Sequence, residues 1–152
     1  MWYRMAKFDI NDLVASEDLV ASLIIFKKTK NGIEVLLEKR GSTPHKHDWT
    51  IPGGHVEKNE DPKDAAVREI KEETNLVISA DDIHLIKIDK YRKKKNKYNC
   101  IYATEYKGKE DFKAGSDAEE LEWVNVELVP ELIWDNKKFI EKAFKKLYKK
   151  EM

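Results

Sequence analysis

The chain has one cysteine, Cys100, so no internal disulfide can form. Its place between Asn99 and Ile101, in a strand-like run, predicts a buried structural thiol rather than a nucleophile. Long apolar runs are also missing. Leu19–Phe26 is too short to span a bilayer, and no signal peptide or anchor pattern is visible, so a cytoplasmic protein without membrane contact is the expectation. There is no excess charge of either sign: 29 Lys and Arg balance 29 Asp and Glu, which removes the net positive charge expected of a nucleic-acid-binding chain. No repeat or low-complexity linker divides the sequence, and 152 residues suit one domain, 1–152.

What the chain does contain is apolar residues at 41%, enough for a sizeable core, and charged residues at 38%, enough for a heavily solvated surface. The charges are segregated. Glu57–Glu73 is acid-rich, whereas Lys87–Lys97 and Lys137–Lys150 are lysine-rich and read first as solvated faces. Met1–Glu17 has a weak pattern that fits an edge strand or an arm. Val20–Phe26 is a continuous apolar run, predicting a buried strand, and Asn31-Gly32 signals a hairpin returning through Ile33–Glu38. Gly41–Asp48 reads as a polar loop, and Pro52-Gly53-Gly54 as a turn or open loop. Asp61 then Pro62 marks a helix start. The helix runs to about Thr74 and closes on Asn75 in the left-handed conformation. Ile83–Tyr91 and Tyr98–Tyr106 form a second hairpin across the polar turn Lys93–Asn96. Gly108–Ala118 is a loop, and Leu121–Val126 a short strand holding Trp123. Phe139, Ile140, Ala143, Phe144, Leu147 and Tyr148 recur at helical spacing, predicting an amphipathic C-terminal helix over about 135–150. Together these elements predict an α+β domain, a mixed β-sheet flanked by helices in an α/β/α layering.

The chemistry concentrates in Gly54–Leu76. Residues three and four apart share a helix face, so Glu69, Glu72 and Glu73 are predicted to project together. Three clustered carboxylates repel one another unless cations neutralise them, and hard oxygen ligands suit Mg²⁺ or Mn²⁺. On its own, a Glu-x-x-Glu-Glu helix is more often an exposed acidic face. Its context is what changes the reading. Trp49-Thr50-Ile51-Pro52-Gly53-Gly54 stands just before it, and two glycines let backbone approach a ligand closely.

Gly54, five residues, Glu60, seven residues and then Arg68-Glu69-Ile70-Lys71-Glu72-Glu73-Thr74-Asn75-Leu76 resembles the Nudix box. Every fixed position matches except the last glycine, here Asn75, which tolerates the left-handed conformation. The resemblance extends over roughly residues 20–130. It implies a loop–helix–loop that binds Mg²⁺ or Mn²⁺ over a mixed sheet and hydrolyses a diphosphate linkage in a nucleotide-like substrate. By that resemblance Glu69, Glu72 and Glu73 are metal ligands with the carbonyl of Gly54, while Glu60, Arg68 and Gly53 shape the site. The general base is open among Glu69, Asp117, Glu119 and Glu120, with Glu72 a further catalytic carboxylate. Arg40 and His47, with His45, are candidate phosphate contacts and equally plain surface residues; Trp49 is a candidate base-stacking residue or a core anchor.

Phe112–Ala118, followed by Trp123, resembles the loop of ADP-ribose and related diphosphatases, with Ser116 where a second acid is usual. That favours a nucleoside diphosphate-X substrate such as ADP-ribose, releasing a nucleoside monophosphate. The alternatives are hydrolysis of oxidised nucleoside triphosphates and of RNA 5′ ends, the latter suiting the lysines at 90–97 by charge alone. A Nudix-fold binding module without catalysis would be expected to have lost box glutamates, which are kept here. Monomer and homodimer both remain open.

Overall fold

The computed structural model describes residues 18–91, 96–113 and 118–149, with the side chains of 118 and 119 set aside. Residues 1–17, expected as an edge strand or an arm, residues 92–95 and residues 114–117 lie outside these residues.

The apolar run at the start is the centre of the molecule. Strand β1 (Asp18–Thr29) is buried from Ala21 to Phe26. Its side chains alternate between two cores, as a strand covered on both faces requires. Leu23 and Ile25 join one cluster; Ile24 and Phe26 join the other. The chain turns at Lys30-Asn31 and returns as β2 (Gly32–Arg40), with Thr29 opposite Gly32. Gly32 has φ 110°, which the turn needs and which only glycine adopts freely.

The sheet order is β3–β2–β1–β6–β5, where β3 is Trp49–Thr50, β5 is His84–Lys90 and β6 is Lys97–Glu105. Strand β4 (Gly53–His55) pairs with β1, and β7 (Ala118–Asn125) pairs with β2. Most of the ladders are antiparallel, but β6 runs parallel to β1 along its whole length, from Asp18 opposite Lys97 to Phe26 opposite Glu105. The sheet is therefore mixed, as expected.

Helix α1 (Pro62–Thr74) covers one face, burying Ala65, Ala66 and Ile70 against Leu23, Leu36 and Tyr102. Two alanines on its inner side let the helix approach the strands. Helix α2 (Asn136–Tyr148) covers the other, where Phe144 and Tyr148 meet Phe26 edge-on at 5.9 and 5.7 Å. Short 3-10 turns at Ala80–Asp82, Val126–Leu128 and Ile133–Asp135 join the elements.

One local expectation is corrected. Pro52-Gly53-Gly54 is not an open turn. Gly53 and Gly54 begin β4, and the segment is zipped along β1 by Leu23 N–H to Pro52 O at 3.1 Å and Val56 N–H to Leu19 O at 2.9 Å. With no Cβ at Gly53, the backbone comes so close to Ala21 and Ser22 that any side chain would collide with them.

Candidate active site

The site begins with the start of α1. Asp61 caps the helix by accepting from Lys63 N–H at 2.8 Å, and Pro62 occupies the first turn, where its missing N–H is not needed. At the other end Asn75 is left-handed, φ 64°, and its N–H bonds Lys71 O at 2.9 Å. It therefore does the job of the usual glycine. The cap is tied to the following loop: Lys113 N–H donates to Thr74 O at 2.8 Å, and Asn75 Nδ2 reaches Lys113 O at 3.4 Å.

Arg68 organises the acid-rich loop. Its Nε and Nη2 grip the two oxygens of Glu60 at 2.9 and 3.0 Å, and Nη2 also donates to His55 O at 3.0 Å. Nη1 reaches Glu69 at 3.0 Å and Glu72 at 3.2 Å. This fork geometry suits arginine and no other residue. The Arg68 guanidinium holds the Glu60 carboxyl below its ordinary range. The pairing expected of Glu60 and Arg68 is present.

Of the three box glutamates, Glu69 and Glu72 meet at Nη1 of Arg68. Glu73 is buried, Glu69 is mostly covered, and Glu72 is more than half exposed. Among the described residues no three His, Cys, Asp or Glu side chains stand together at metal-holding distances. Arg68 Nη1 binds both Glu69 and Glu72, while Glu73 turns in to the sheet. There it hydrogen-bonds Glu38 of β2, a buried carboxyl that sequence reasoning missed. Burial raises the Glu38 carboxyl to about 7, against the opposing hydrogen bonds of Glu73 and the Gly53 backbone. Its only sequence signal is an acid at the end of the apolar run Val35-Leu36-Leu37. Burial likewise pushes Glu69 upward, with Arg68 opposing.

Gly54 completes the arrangement. A Cβ there would run into the Glu69 carboxylate, so the glycine leaves a cradle that the carboxylate fills. The carboxylates of Glu69, Glu72 and Glu73 and the Gly54 carbonyl are hard oxygen donors, the chemistry that suits a divalent cation such as Mg²⁺ or Mn²⁺.

Beside this corner lies a cleft of about 460 Å³, lined by Glu38, Gly53, Gly54 and His55 and, beyond them, by Arg40, Tyr91, Asn99 and Trp134. Arg40 lines it, with its Nε donating to Pro44 O at 2.8 Å and its guanidinium 4.9 Å from the Trp134 ring centre. Trp49 is half-buried, packs against the α2-side core and does not line the cleft. His45 and His47 are exposed loop residues with positive φ; neither lines the cleft. Glu120 is not brought to the helix glutamates: it faces Lys39 across the ladder at 3.8 Å, one residue along from Glu38 and so on the opposite side of the sheet. Asp117 lies outside the described residues, as does the side chain of Glu119.

A capped glutamate helix is thus locked by arginine to a glycine strand on a mixed sheet. The NUDIX domain model matches residues 18–145, and the chain belongs to the Nudix family. An ADP-ribose pyrophosphatase of Methanocaldococcus jannaschii is 34% identical over 109 residues, which cover 71% of this chain and 64% of that protein. An asymmetrical bis(5′-nucleosyl)-tetraphosphatase of Caenorhabditis elegans is 44% identical over 64 residues, 42% of this chain and 45% of that protein. The chain thus matches less than two thirds of the length of either relative. A crystal structure of a C. elegans Ap4A hydrolase binary complex superposes with a TM-score of 0.71 at 25% identity, covering 88% of this chain and 99% of that one. No described helix is long and apolar enough to cross a membrane.

Proposed function

We propose that this chain is a Mg²⁺- or Mn²⁺-dependent hydrolase that cleaves the diphosphate linkage of a nucleoside diphosphate-X compound, releasing a nucleoside monophosphate. The observation that carries the reading is the corner where Gly54 leaves room for the Glu69 carboxylate, with Glu38 and Glu73 buried behind it and the cleft opening in front. Glu69, Glu72 and Glu73 would hold the cation, with the Gly54 carbonyl beside them. When bound, the cation neutralises diphosphate charge and acidifies an attached water. Arg68 keeps the loop and Glu69 in fixed relation, so little reorganisation is needed as charge develops. Glu69, poised at the glycine backbone, is assigned to accept the proton of the attacking water; Asp117 is the alternative acceptor.

The ADP-ribose pyrophosphatase relative favours X as a ribose phosphate. A second reading, cleavage of a dinucleoside polyphosphate, is favoured by a second aromatic–cation pair in the cleft, Lys97 Nζ standing 4.8 Å from the Tyr91 ring centre. A panel with Mg²⁺, scored by product, decides between them: ADP-ribose, sugar nucleotides, dinucleoside polyphosphates, nucleoside triphosphates and 5′-triphosphate RNA. The expected outcome is the highest kcat/KM on ADP-ribose with AMP as product. Highest kcat/KM on triphosphates or RNA would overturn the nucleoside diphosphate-X assignment.

A further inference from the structure

Trp134 is the aromatic residue that the box, the helices and the sheet leave unexplained. It lies within the last 3-10 turn, just before α2, and the residue is 43% exposed. Its backbone is left-handed, φ 58° and ψ 32°, and Asp135 follows at φ 59°. That conformation is costly for a bulky residue and persists only where surroundings enforce it. Three contacts do so. The Arg40 guanidinium lies 4.9 Å from the ring centre, itself pinned by its bond to Pro44 O. His45 meets the ring edge-on at 5.2 Å, and is held in turn by Asp48 at 3.2 Å. Asn136, the next residue but one, is buried and bonded through its amide to the Thr50 hydroxyl. The result is a fixed, half-open indole that lines the same cleft as Gly54 and Glu38.

We infer that Trp134 is the platform on which the nucleobase of the substrate stacks, and therefore the residue that makes this cleft choose nucleotides over other diphosphates. The inference rests on the hydrolase reading for its substrate but not for its test. A nucleotide with its phosphates at Gly54 has its base as the remaining flat, apolar group. Trp134 is the exposed ring of that cleft best suited to a bicyclic base, since indole offers the largest π-face of any side chain. Arg40 acts through the indole as a positioning residue, holding the ring in place by cation–π attraction.

The test uses binding without metal or turnover. Calorimetric titration of AMP and of ribose 5-phosphate into the full chain separates the base from the rest of the nucleotide. The expected result is AMP binding tighter than ribose 5-phosphate by on the order of tenfold, given the usual stacking gain. Trp134→Ala should abolish that difference while leaving ribose 5-phosphate affinity within about twofold, and Trp134→Phe should keep part of it. Steady-state kinetics on ADP-ribose should show KM rising more than kcat falls in Trp134→Ala. Circular dichroism melts establish that each variant is folded. Equal affinity of the wild type for the two ligands, an unchanged AMP preference in Trp134→Ala, or equal weakening of both ligands would overturn the inference. If the chain hydrolyses no substrate in the panel yet shows a Trp134-dependent preference for AMP, the hydrolase reading fails and the platform stands.

Discussion

Gly53 and Gly54 are adjacent in sequence but have different neighbours, and substitutions should separate them. A Cβ on Gly53 meets the backbone of Ala21 and Ser22, which cannot move without opening β1. Gly53→Ala should therefore cost about 3 kcal/mol, read as a lower midpoint in urea unfolding. The atoms nearest a Cβ on Gly54 are the end of the Glu69 side chain, which can swing away. Gly54→Ala should keep the urea midpoint and lower kcat by at least tenfold; the reverse pattern would refute the cradle. Glu73→Gln should also retain the fold, because it removes a like-charged neighbour of Glu38, while lowering Mg²⁺-dependent turnover by orders of magnitude. Near-normal turnover would remove Glu73 from the site. The Glu60–Arg68 pair gives a pH signature. The carboxyl of Glu60 is held below its ordinary value of 4.5, so its contribution is present above that pH and lost as the pH falls through the lowered value. In Glu60→Gln that acid-side loss should disappear, leaving a flatter Tm-versus-pH curve below pH 4.5. The pairing of Glu60 with Arg68 was legible in the sequence because fixed local spacing brings the two together. Glu38 and Trp134 were not, because only the pairing of distant strands and the seating of α2 bring them to the site.

At the scale of elements, α1 could be read almost to its ends because its signals are local: Asp61, Pro62, the alanine stripe and Asn75. The left-handed cap supports a direct comparison. Asn75→Gly should melt within about a degree of wild type, whereas Asn75→Val should lose roughly 1–2 kcal/mol through strain at positive φ. Equal melting points would rule out strain as the determinant. Strand β4 escaped a sequence reading for the opposite reason. Its pairing with β1 is made by backbone alone at two glycines, so no alternation of side chains announces it. The parallel register of β6 on β1 was equally hidden, since hydrophobic pattern fixes which residues are buried but not the direction of the neighbour. The lysine hairpin kept its flanking strands where expected, and Lys97, at its end, faces Tyr91 in the cleft rather than standing as part of a uniform solvated run.

Across the whole molecule, burial on both faces of one sheet separates inert groups from working ones. Cys100 lies fully inside the α1-side core, and burial raises its thiol to about 12. Ellman's reagent should therefore leave the native chain unlabelled at pH 8 and titrate one thiol after unfolding in guanidinium; rapid native labelling would contradict the burial of β6. The expectation of a structural thiol was legible from its place in a strand-like run between Asn99 and Ile101. The long parallel ladder also governs how the molecule is assembled in time. The bond from Ser22 to Asn99 spans 77 positions, so the pairing of β1 with β6 closes a loop that holds the first hairpin, the box helix and β5. Closing so large a loop costs entropy before any contact rewards it. A chain cut after residue 76 should accordingly show no cooperative unfolding, despite carrying every box glutamate. In the full chain, refolding should take milliseconds to seconds, with the amides of β1 and β6 the last to exchange with deuterium.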